Sequence, residues 1–582
     1  MKEHMKTTTW LCVFLSVVLA IGVSSATGQH RQMTTRQQTV RPVAIPPGTR
    51  QISPSAVAEY GVYGYSAWQA GPGEDEGRKF DLMPAGYTGA PNTAQLLSFF
   101  AMSDIHITDK ESPAQPMYFG WSATFGSVGL SSSYSPVILS TTHVLDGAIR
   151  AVNALHRQTP FDFGIFLGDA VNNTQLNELR WYIDVLDGAY ITPSSGAHSG
   201  AHAIGYQKPY RAVGLDRSIP WYQVIGNHDQ FWSGVNYPNA KLQDALIGST
   251  ILNIGTNILD PAVVSLTGVY VGSVDGSTRY GTVIGGGPTN AFAKPPTVVA
   301  DTNRRSLTTA DSSVKNWMSE FFNTTSSPPG HGFTRSNLGR DSACYTFEPK
   351  ASLPIKVIVL DDTAKGNIPS AGPGYYAAGS IDSARYAWLT DELQRGQDAG
   401  QLMIVATHVP INPQQDLFRT NRAPQFAAAP LSSRTDAQLI ATLHNYPNLI
   451  LLMAGHRHMN TVTPQPSPDP AHPEYGFWEV ETPSLRDFPQ QFRTFDIRRN
   501  SDNTISIVTT DVDPEVEDGS PAADSRGYAI GASRIFGNTS LADTASHAYN
   551  AELVKQLSPA MQAKIATYGA PPGQSRSHSY AR

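Results

Sequence analysis

Cysteine is almost missing from this chain: of 582 residues only Cys12 and Cys344 carry a thiol. With Cys12 inside an amino-terminal leader, the rest of the chain keeps a single cysteine, which excludes an internal disulfide and leaves stability to packing. Cys344 then reads as a small buried residue and not as a nucleophile. Charge is also sparse. Asp, Glu, Lys and Arg make up 15% of the residues and the formal net charge is -6, a balance without the basic patches of a nucleic-acid binder. Beyond the leader no apolar run is long enough to span a bilayer, which takes about 20 residues, and no repeat of fixed period is present. What abounds instead is Gly and Pro, 49 and 42 residues, the mark of a loop-rich globular chain whose length suits several domains or one large catalytic domain with insertions.

The leader has Lys2 and Lys6, an apolar run from Trp10 to Val23 interrupted by Ser16, and then Ser24-Ser25-Ala26. This pattern predicts a signal peptide over residues 1–26, cleaved after Ala26, and an exported protein, periplasmic or extracellular, with no membrane span once the signal is gone. No arginine pair precedes the run, which favours export of the unfolded chain. Residues 27–95, rich in Gln, Thr, Pro and Gly and without a sustained period, read as an extended lead-in.

From residue 96 a β/α alternation sets in. Apolar runs at 97–102, 163–167, 221–225, 355–360, 402–406 and 449–454 read as strands. Segments 136–159, 175–186, 383–395 and 435–446 carry helical spacing. Residues from about 230 to 350 read as a long insertion with small strands, expected to cap the site. Short strands at 476–481, 494–497 and 504–509 suggest an antiparallel continuation of the second half of the sheet system. The catalytic domain is thus expected over 96–510, with residues 511–582 as a tail carrying a helix at 551–568.

Five of the strand runs end in residues of ligand type: Ser103-Asp104-Ile105-His106, Gly168-Asp169, Gly226-Asn227-His228-Asp229, Thr407-His408 and Gly455-His456-Arg457-His458. Strand carboxyl ends form the functional edge of α/β sheets. Asp104, His106, Asp169, Asn227, His408, His456 and His458 mix oxygen and imidazole donors without thiolate. That set suits Zn, Mn or Fe and argues against a calcium cage. Seven donors exceed one tetrahedral ion and suit two ions sharing Asp169, at roughly 3.5–4 Å separation. His198 and His202, in a loop of small residues, read as solvent-exposed. Arg457 and Arg486 are candidates for substrate phosphate, since a guanidinium forks onto such oxygens, with a structural ion pair as the alternative for each.

In order and composition these motifs, with Gly168-Asp169-Ala170-Val171-Asn172, resemble the calcineurin-like metallophosphoesterase superfamily over about residues 97–500, the insertion apart. Three segments, Ser103 to Ser112, Asn177 to Gly188 and Pro483 to Gln491, look like an exported bacterial branch of it. The resemblance implies an α/β fold, a four-layer α/β/β/α sandwich with two mixed β-sheets. It also implies one metal on Asp104, His106, Asp169 and His458 and a second on Asp169, Asn227, His408 and His456. Asn172 stands where purple acid phosphatases carry tyrosine and phosphoprotein phosphatases carry an aspartate paired with the catalytic histidine, so a ferric tyrosinate is not expected and His228 faces a neutral amide.

The reading that follows is a dinuclear hydrolase, with two divalent or trivalent ions of Mn, Fe or Zn, that cleaves small phosphomonoesters or phosphodiesters by metal-hydroxide attack. His228 would protonate the leaving oxygen. A non-catalytic metal-binding scaffold of the same fold is the alternative, and survival of all seven donors and His228 weighs against it.

Overall fold

The computed structural model of the chain describes residues 32–118, 135–254, 268–308, 313–365, 375–411, 434–536 and 550–569; the expected signal peptide lies outside them. Among the described residues, thirteen strands build two large mixed sheets. In chain order they are β1 (Gly77–Leu82), β2 (Asn92–Met102), β3 (Phe163–Phe166), β4 (Trp221–Gln223), β5 (Tyr345–Phe347), β6 (Ile355–Val359), β7 (Leu402–Ala406), β8 (Leu449–Ala454), β9 (Thr461–Gln465), β10 (Phe477–Glu481), β11 (Phe492–Asn500), β12 (Ile505–Val512) and β13 (Asn550–Lys555). The first sheet runs β1-β13-β12-β11-β2-β3-β4 and the second β5-β6-β7-β8-β10-β9. Within the first, β2, β3 and β4 are parallel. Within the second, β6, β7, β8 and β10 are parallel.

Alternation along the strands sorts the side chains into two cores. Val357, Val359, Ile404, Ala406, Leu451 and Met453 share one cluster with Leu97, Phe99, Ile165, Phe495 and Ile497 of the first sheet. Ile358, Met403, Val405 and Leu452 point the other way, onto Leu389 and Leu393 of helix Ser383–Asp398 and Leu439 and Leu443 of helix Asp436–Leu443. The second sheet is therefore buried on both faces, which is why its strands read as continuous apolar runs. Contacts bridge the sheets: Phe347 stacks on Tyr222 at 3.6 Å between centroids, and Trp478 Nε1 donates to Val554 O at 3.1 Å. On the first sheet, Phe166 meets Tyr182 of helix Leu176–Asp187 edge to face at 5.6 Å.

Several elements differ from the sequence expectation. Residues 551–568 do not form one helix: Asn550–Lys555 is a strand between β12 and β1, and a short helix follows at Pro559–Ile565. Strands β11 and β12 join the first sheet beside β2 and do not continue the second. The lead-in and the tail each supply a strand of that sheet, so the sheet reaches beyond 96–510 at both ends. An unexpected helix, Pro521–Ile535, packs on Tyr60 and on the turn Pro136–Ser140. The insertion holds the ribbon Val269–Val274 with Val283–Pro288 and helices at Ala240–Ile247, Lys315–Glu320 and Arg335–Arg340. Its later part lies along the β4 edge, where Trp221 N donates to Ser327 O at 3.0 Å and Gln223 N to His331 O at 3.1 Å. That edge is thereby covered.

Candidate metal centre

Parallel strands place their carboxyl ends together, so β2, β3 and β4 of one sheet and β7, β8 and β10 of the other open at the same edge. The loops leaving them carry Asp104 and His106, Asp169, Asn227 and His228, His408, His456 to His458, and Ser484 to Asp487. Main-chain bonds tie the loops to one another. Asp104 N donates to Gly168 O at 3.1 Å, His106 N to Asp169 O at 2.9 Å and Gly455 N to His408 O at 2.9 Å. His456 N donates to Asp104 Oδ2 and His228 N to Asp169 Oδ1, both at 2.8 Å.

Asp104, His106, Asp169, His456 and His458 all have φ between 48° and 75°, a left-handed conformation costing non-glycine residues roughly 1–3 kcal/mol each. Such strain persists where surrounding contacts over-determine it, and here the cross-loop bonds do so. Three glycines make the crowding possible. A Cβ on Gly168 would stand 2.6 Å from His408 Nδ1, one on Gly226 would overlap Asp169 Oδ1, and one on Gly455 would overlap Ser103 Oγ.

The side chains form two donor clusters. In the first, His458 Nε2 lies 3.2 Å from Asp104 Oδ1 and 3.1 Å from His106 Nε2. In the second, Asn227 Oδ1 lies 2.9 Å from His408 Nε2 and 3.1 Å from His456 Nδ1. Asp169 Oδ2 stands between them, 3.7 Å from His106 Nε2 and 3.3 Å from His408 Nε2. Asp104, His106 and His408 are fully buried, and Asp104 Oδ1 faces the Nε2 atoms of His106 and His458 at 3.7 and 3.2 Å. A buried carboxylate oxygen facing two imidazole nitrogens is costly unless a cation satisfies it, so the donor set fits metal ions. Three groups, Asp104 with His106 and His458, Asp104 with Asp169 and His408, and His106 with Asp169 and His228, bring their donor atoms within 4.8 Å of one another.

Without ions the cluster balances itself with protons. Burial disfavours charge on His408, yet Asp169 and Asp104 outweigh it and lift the ring to about 10. Burial likewise opposes His458, and Asp104 and Asp487 raise it to about 10. Burial, helped by neighbouring histidines, takes His106 and His456 down to about 3. Asp104 and Asp169 are buried too, but the histidines beside them hold both carboxyls well below the usual range.

His228 stands at the rim, half-buried, its ring edge-on to His106 at 4.4 Å. Its Nδ1 lies 2.9 Å from the main-chain carbonyl of Asn172. The expectation of an Asn172 side-chain neighbour is thereby corrected: Asn172 Oδ1 accepts from Arg486 Nη1 at 2.6 Å and Asn172 Nδ2 donates to Gln115 Oε1 at 3.1 Å. The Nε2 edge of His228 lies against Gly234, where a Cβ would overlap it.

Arg457 is buried against Glu481, donating through Nε at 3.0 Å and through Nη2 as well. Arg486 is buried too, with Nη2 donating to Thr108 Oγ1 at 3.1 Å. Both arginines therefore sit in structural contacts. His198 and His202 are exposed, as expected, and His198 faces Asp275 at 3.3 Å. Cys344 is buried and its thiol is pushed up to about 12 by burial.

Sequence reasoning missed the residues behind the donors. Asp487 Oδ2 takes the Nδ1 proton of His458, Leu167 O takes that of His408 at 2.8 Å, and Asp229 accepts from Val171 N and Gly226 N at 3.1 and 2.9 Å. Asp229 was signalled by its place directly after His228. Asp487 had only its neighbour Arg486 to mark it.

No family model matches the chain, and no curated protein matches it. Solved structures do. One is the crystal structure of a dimetal phosphatase from Danio rerio, 11% identical, spanning 73% of this chain and 98% of that one with a TM-score of 0.34.

Proposed function

We propose that this chain is an exported, dinuclear-metal hydrolase of small phosphate esters, with the four-layer sandwich and the site of the calcineurin-like metallophosphoesterases. The observation that carries the proposal is the position of Asp169 Oδ2 between two donor clusters, 3.7 Å from His106 Nε2 and 3.3 Å from His408 Nε2. One half-site would consist of Asp104, His106, Asp169 and His458, the other of Asp169, Asn227, His408 and His456. Bound there, Mn, Fe or Zn would supply Lewis-acid polarisation of a phosphoryl oxygen and an activated water.

The protein's own groups do the rest. Asp487 and Leu167 O fix the rings of His458 and His408 so that Nε2 of each faces the centre. Asn172 O accepts from Nδ1 of His228, which defines the tautomer and leaves Nε2 to hold a proton for the departing oxygen. The buried, cross-tied loops keep these groups in place and limit water around the reacting phosphorus. Export rests on the leader over residues 1–26.

Elemental analysis of purified protein, paired with a panel of aryl phosphate mono- and diesters in the presence of Mn or Zn, tests the proposal. Two metals per chain and metal-dependent hydrolysis are expected. A fully loaded protein that cleaves none of the panel would instead be a scaffold.

A further inference from the structure

The four residues Ser484 to Asp487, which follow β10, reach four separate parts of the centre. Ser484 Oγ donates to Asp104 O at 2.7 Å. Arg486 N donates to Ser484 Oγ at 2.9 Å, fixing the arginine's backbone to that contact. Arg486 Nη2 donates to Thr108 Oγ1, which itself donates to His106 O at 2.7 Å. Arg486 Nη1 donates to Asn172 Oδ1 at 2.6 Å, and the carbonyl of the same Asn172 receives His228 Nδ1 at 2.9 Å. Asp487 holds His458.

We propose that Arg486 is a positioning residue for His228, acting through the Asn172 side chain, and that Thr108 is its second arm. A carbonyl oxygen can only accept, so the bond from His228 fixes a proton on Nδ1 and leaves Nε2 as the ring nitrogen not held by that bond. That bond is as firm as the peptide carrying the carbonyl. The peptide carrying that carbonyl is braced by Asn173 N–H, which donates to Glu178 Oε2 at 2.8 Å, and the residue is held on its other side by its own N–H, which donates to Ile107 O at 3.1 Å and Glu178 Oε2 at 3.2 Å. Its side chain is pinned between Arg486 and Gln115. A planar guanidinium matches two acceptors in fixed directions, and a lysine ammonium does not. Arg486 is about 1% exposed, so its charge-assisted bonds are not diluted by solvent. The arginine therefore works on the chemistry by geometry, at one residue's remove.

The kinetic arm of the test rests on the phosphoesterase reading, and the spectroscopic arm does not. In zinc-loaded protein selectively labelled with ¹⁵N-histidine, the Nδ1–H resonance of His228, assigned by its loss in His228→Gln, should be sharp. It should broaden or shift in Asn172→Ala and in Arg486→Lys and be restored in Asn172→Asp. With phenyl phosphoesters, Asn172→Ala and Arg486→Lys should each lower kcat by roughly tenfold, a fraction of the 10² to 10⁴ that general acid catalysis contributes, with KM and metal content retained. With nitrophenyl esters the loss should stay under about twofold. An Arg486→Lys protein indistinguishable from the wild type in both arms would show that charge and not geometry matters, and overturn the proposal. A raised KM for every ester in Arg486→Lys, with Asn172→Ala unaffected, would make Arg486 a substrate ligand and also overturn it. If Arg486→Lys does not fold, Asn172→Ala with Arg486 intact decides alone, because an unperturbed His228 resonance there refutes the clamp. A wild-type protein that loads zinc but cleaves no ester would refute the functional reading and leave the resonance to judge the positioning.

Discussion

Asp487 accepts a hydrogen bond from Nδ1 of His458, which turns Nε2 of the same ring to within 3.2 Å of Asp104 Oδ1. A carboxylate behind an imidazole fixes its tautomer and raises its basicity, and loss of such a partner typically costs about 10- to 100-fold in metal affinity. His408 has a neutral carbonyl, Leu167 O, in the corresponding place. The two half-sites should therefore differ. In Asp487→Asn, chelator competition should show the tighter site weakened by about 10- to 100-fold and the other nearly unchanged. Equal weakening of both would mean that Asp487 supports the loop and not the ring.

Loading should release protons. In the metal-free protein His408 and His458 stay charged until pH rises through about 10, and a histidine must lose that proton to bind a metal. Between pH 6 and 9, uptake of both ions should then expel about two protons per chain, and affinity should climb with pH, by about tenfold per unit for each proton released. The stability of the metal-free protein should run the other way. A folded-state pKa raised above the unfolded value near 6.5 contributes stability in full below about 6.5 and loses it as pH rises through about 10. Calorimetry in two buffers of different ionisation enthalpy counts the protons. No release, or affinity that falls with rising pH, would contradict the charge arrangement.

How much of this was legible in the sequence follows from where each signal resides. β2, β3, β4, β7 and β8 announced themselves because buried strands need continuous apolar runs and their carboxyl ends break abruptly into Asp, Asn, His and Gly. The order of those endings also marked the edge at which they meet. Asn550–Lys555 was hidden because Asn-Ala-Glu-Leu-Val-Lys holds good helix formers, and only pairing on both sides, with β12 and β1, makes it a strand. Helix Pro521–Ile535 carries Gly527 and Gly531 in its interior, residues that weaken a helical signal in sequence. In the fold they let Ser66 and Tyr60 approach, and a Cβ on Gly531 would stand 2.6 Å from the Tyr60 ring. The partnership of His458 with Asp487, and the bond from His228 to a peptide carbonyl, follow no spacing rule. They arise from loops of different strands meeting in space.

The position of Asp169 separates two substitutions that look alike in sequence. Its Oδ2 serves both donor clusters and its Oδ1 receives His228 N, so Asp169→Ala should abolish metal binding and hydrolysis together. Asn227 belongs to one cluster, facing His408 and His456, and is anchored by its Nδ2 donating to Gly234 O at 3.0 Å. Asn227→Ala should keep one metal per chain. Metal analysis after exhaustive dialysis gives the answer, and equal, mild losses from both substitutions would refute the shared role of Asp169.

His228 should behave as a proton donor and not as a ligand. Its Nδ1 is committed to Asn172 O, its ring stands edge-on to His106, and Nε2 remains as the edge that can meet a leaving oxygen. Burial lowers its pKa from the ordinary value, against the opposing pull of Asp169 and of the Asn172 carbonyl. The imidazolium is thus lost at a lower pH than for a free histidine, so hydrolysis of esters with poor leaving groups should fade on the alkaline side early. His228→Ala should reduce turnover of phenyl phosphoesters by roughly 10² to 10⁴, the usual worth of a general acid, and leave two metals bound. A nitrophenolate departs without help, so its ester should lose far less, and the alkaline limb should disappear from the profile of the variant. Steady-state rates on both esters across pH, with metal content measured on the same samples, check each part. Equal losses for good and poor leaving groups would assign His228 to holding substrate, and loss of a metal would make it a ligand of the group formed with His106 and Asp169.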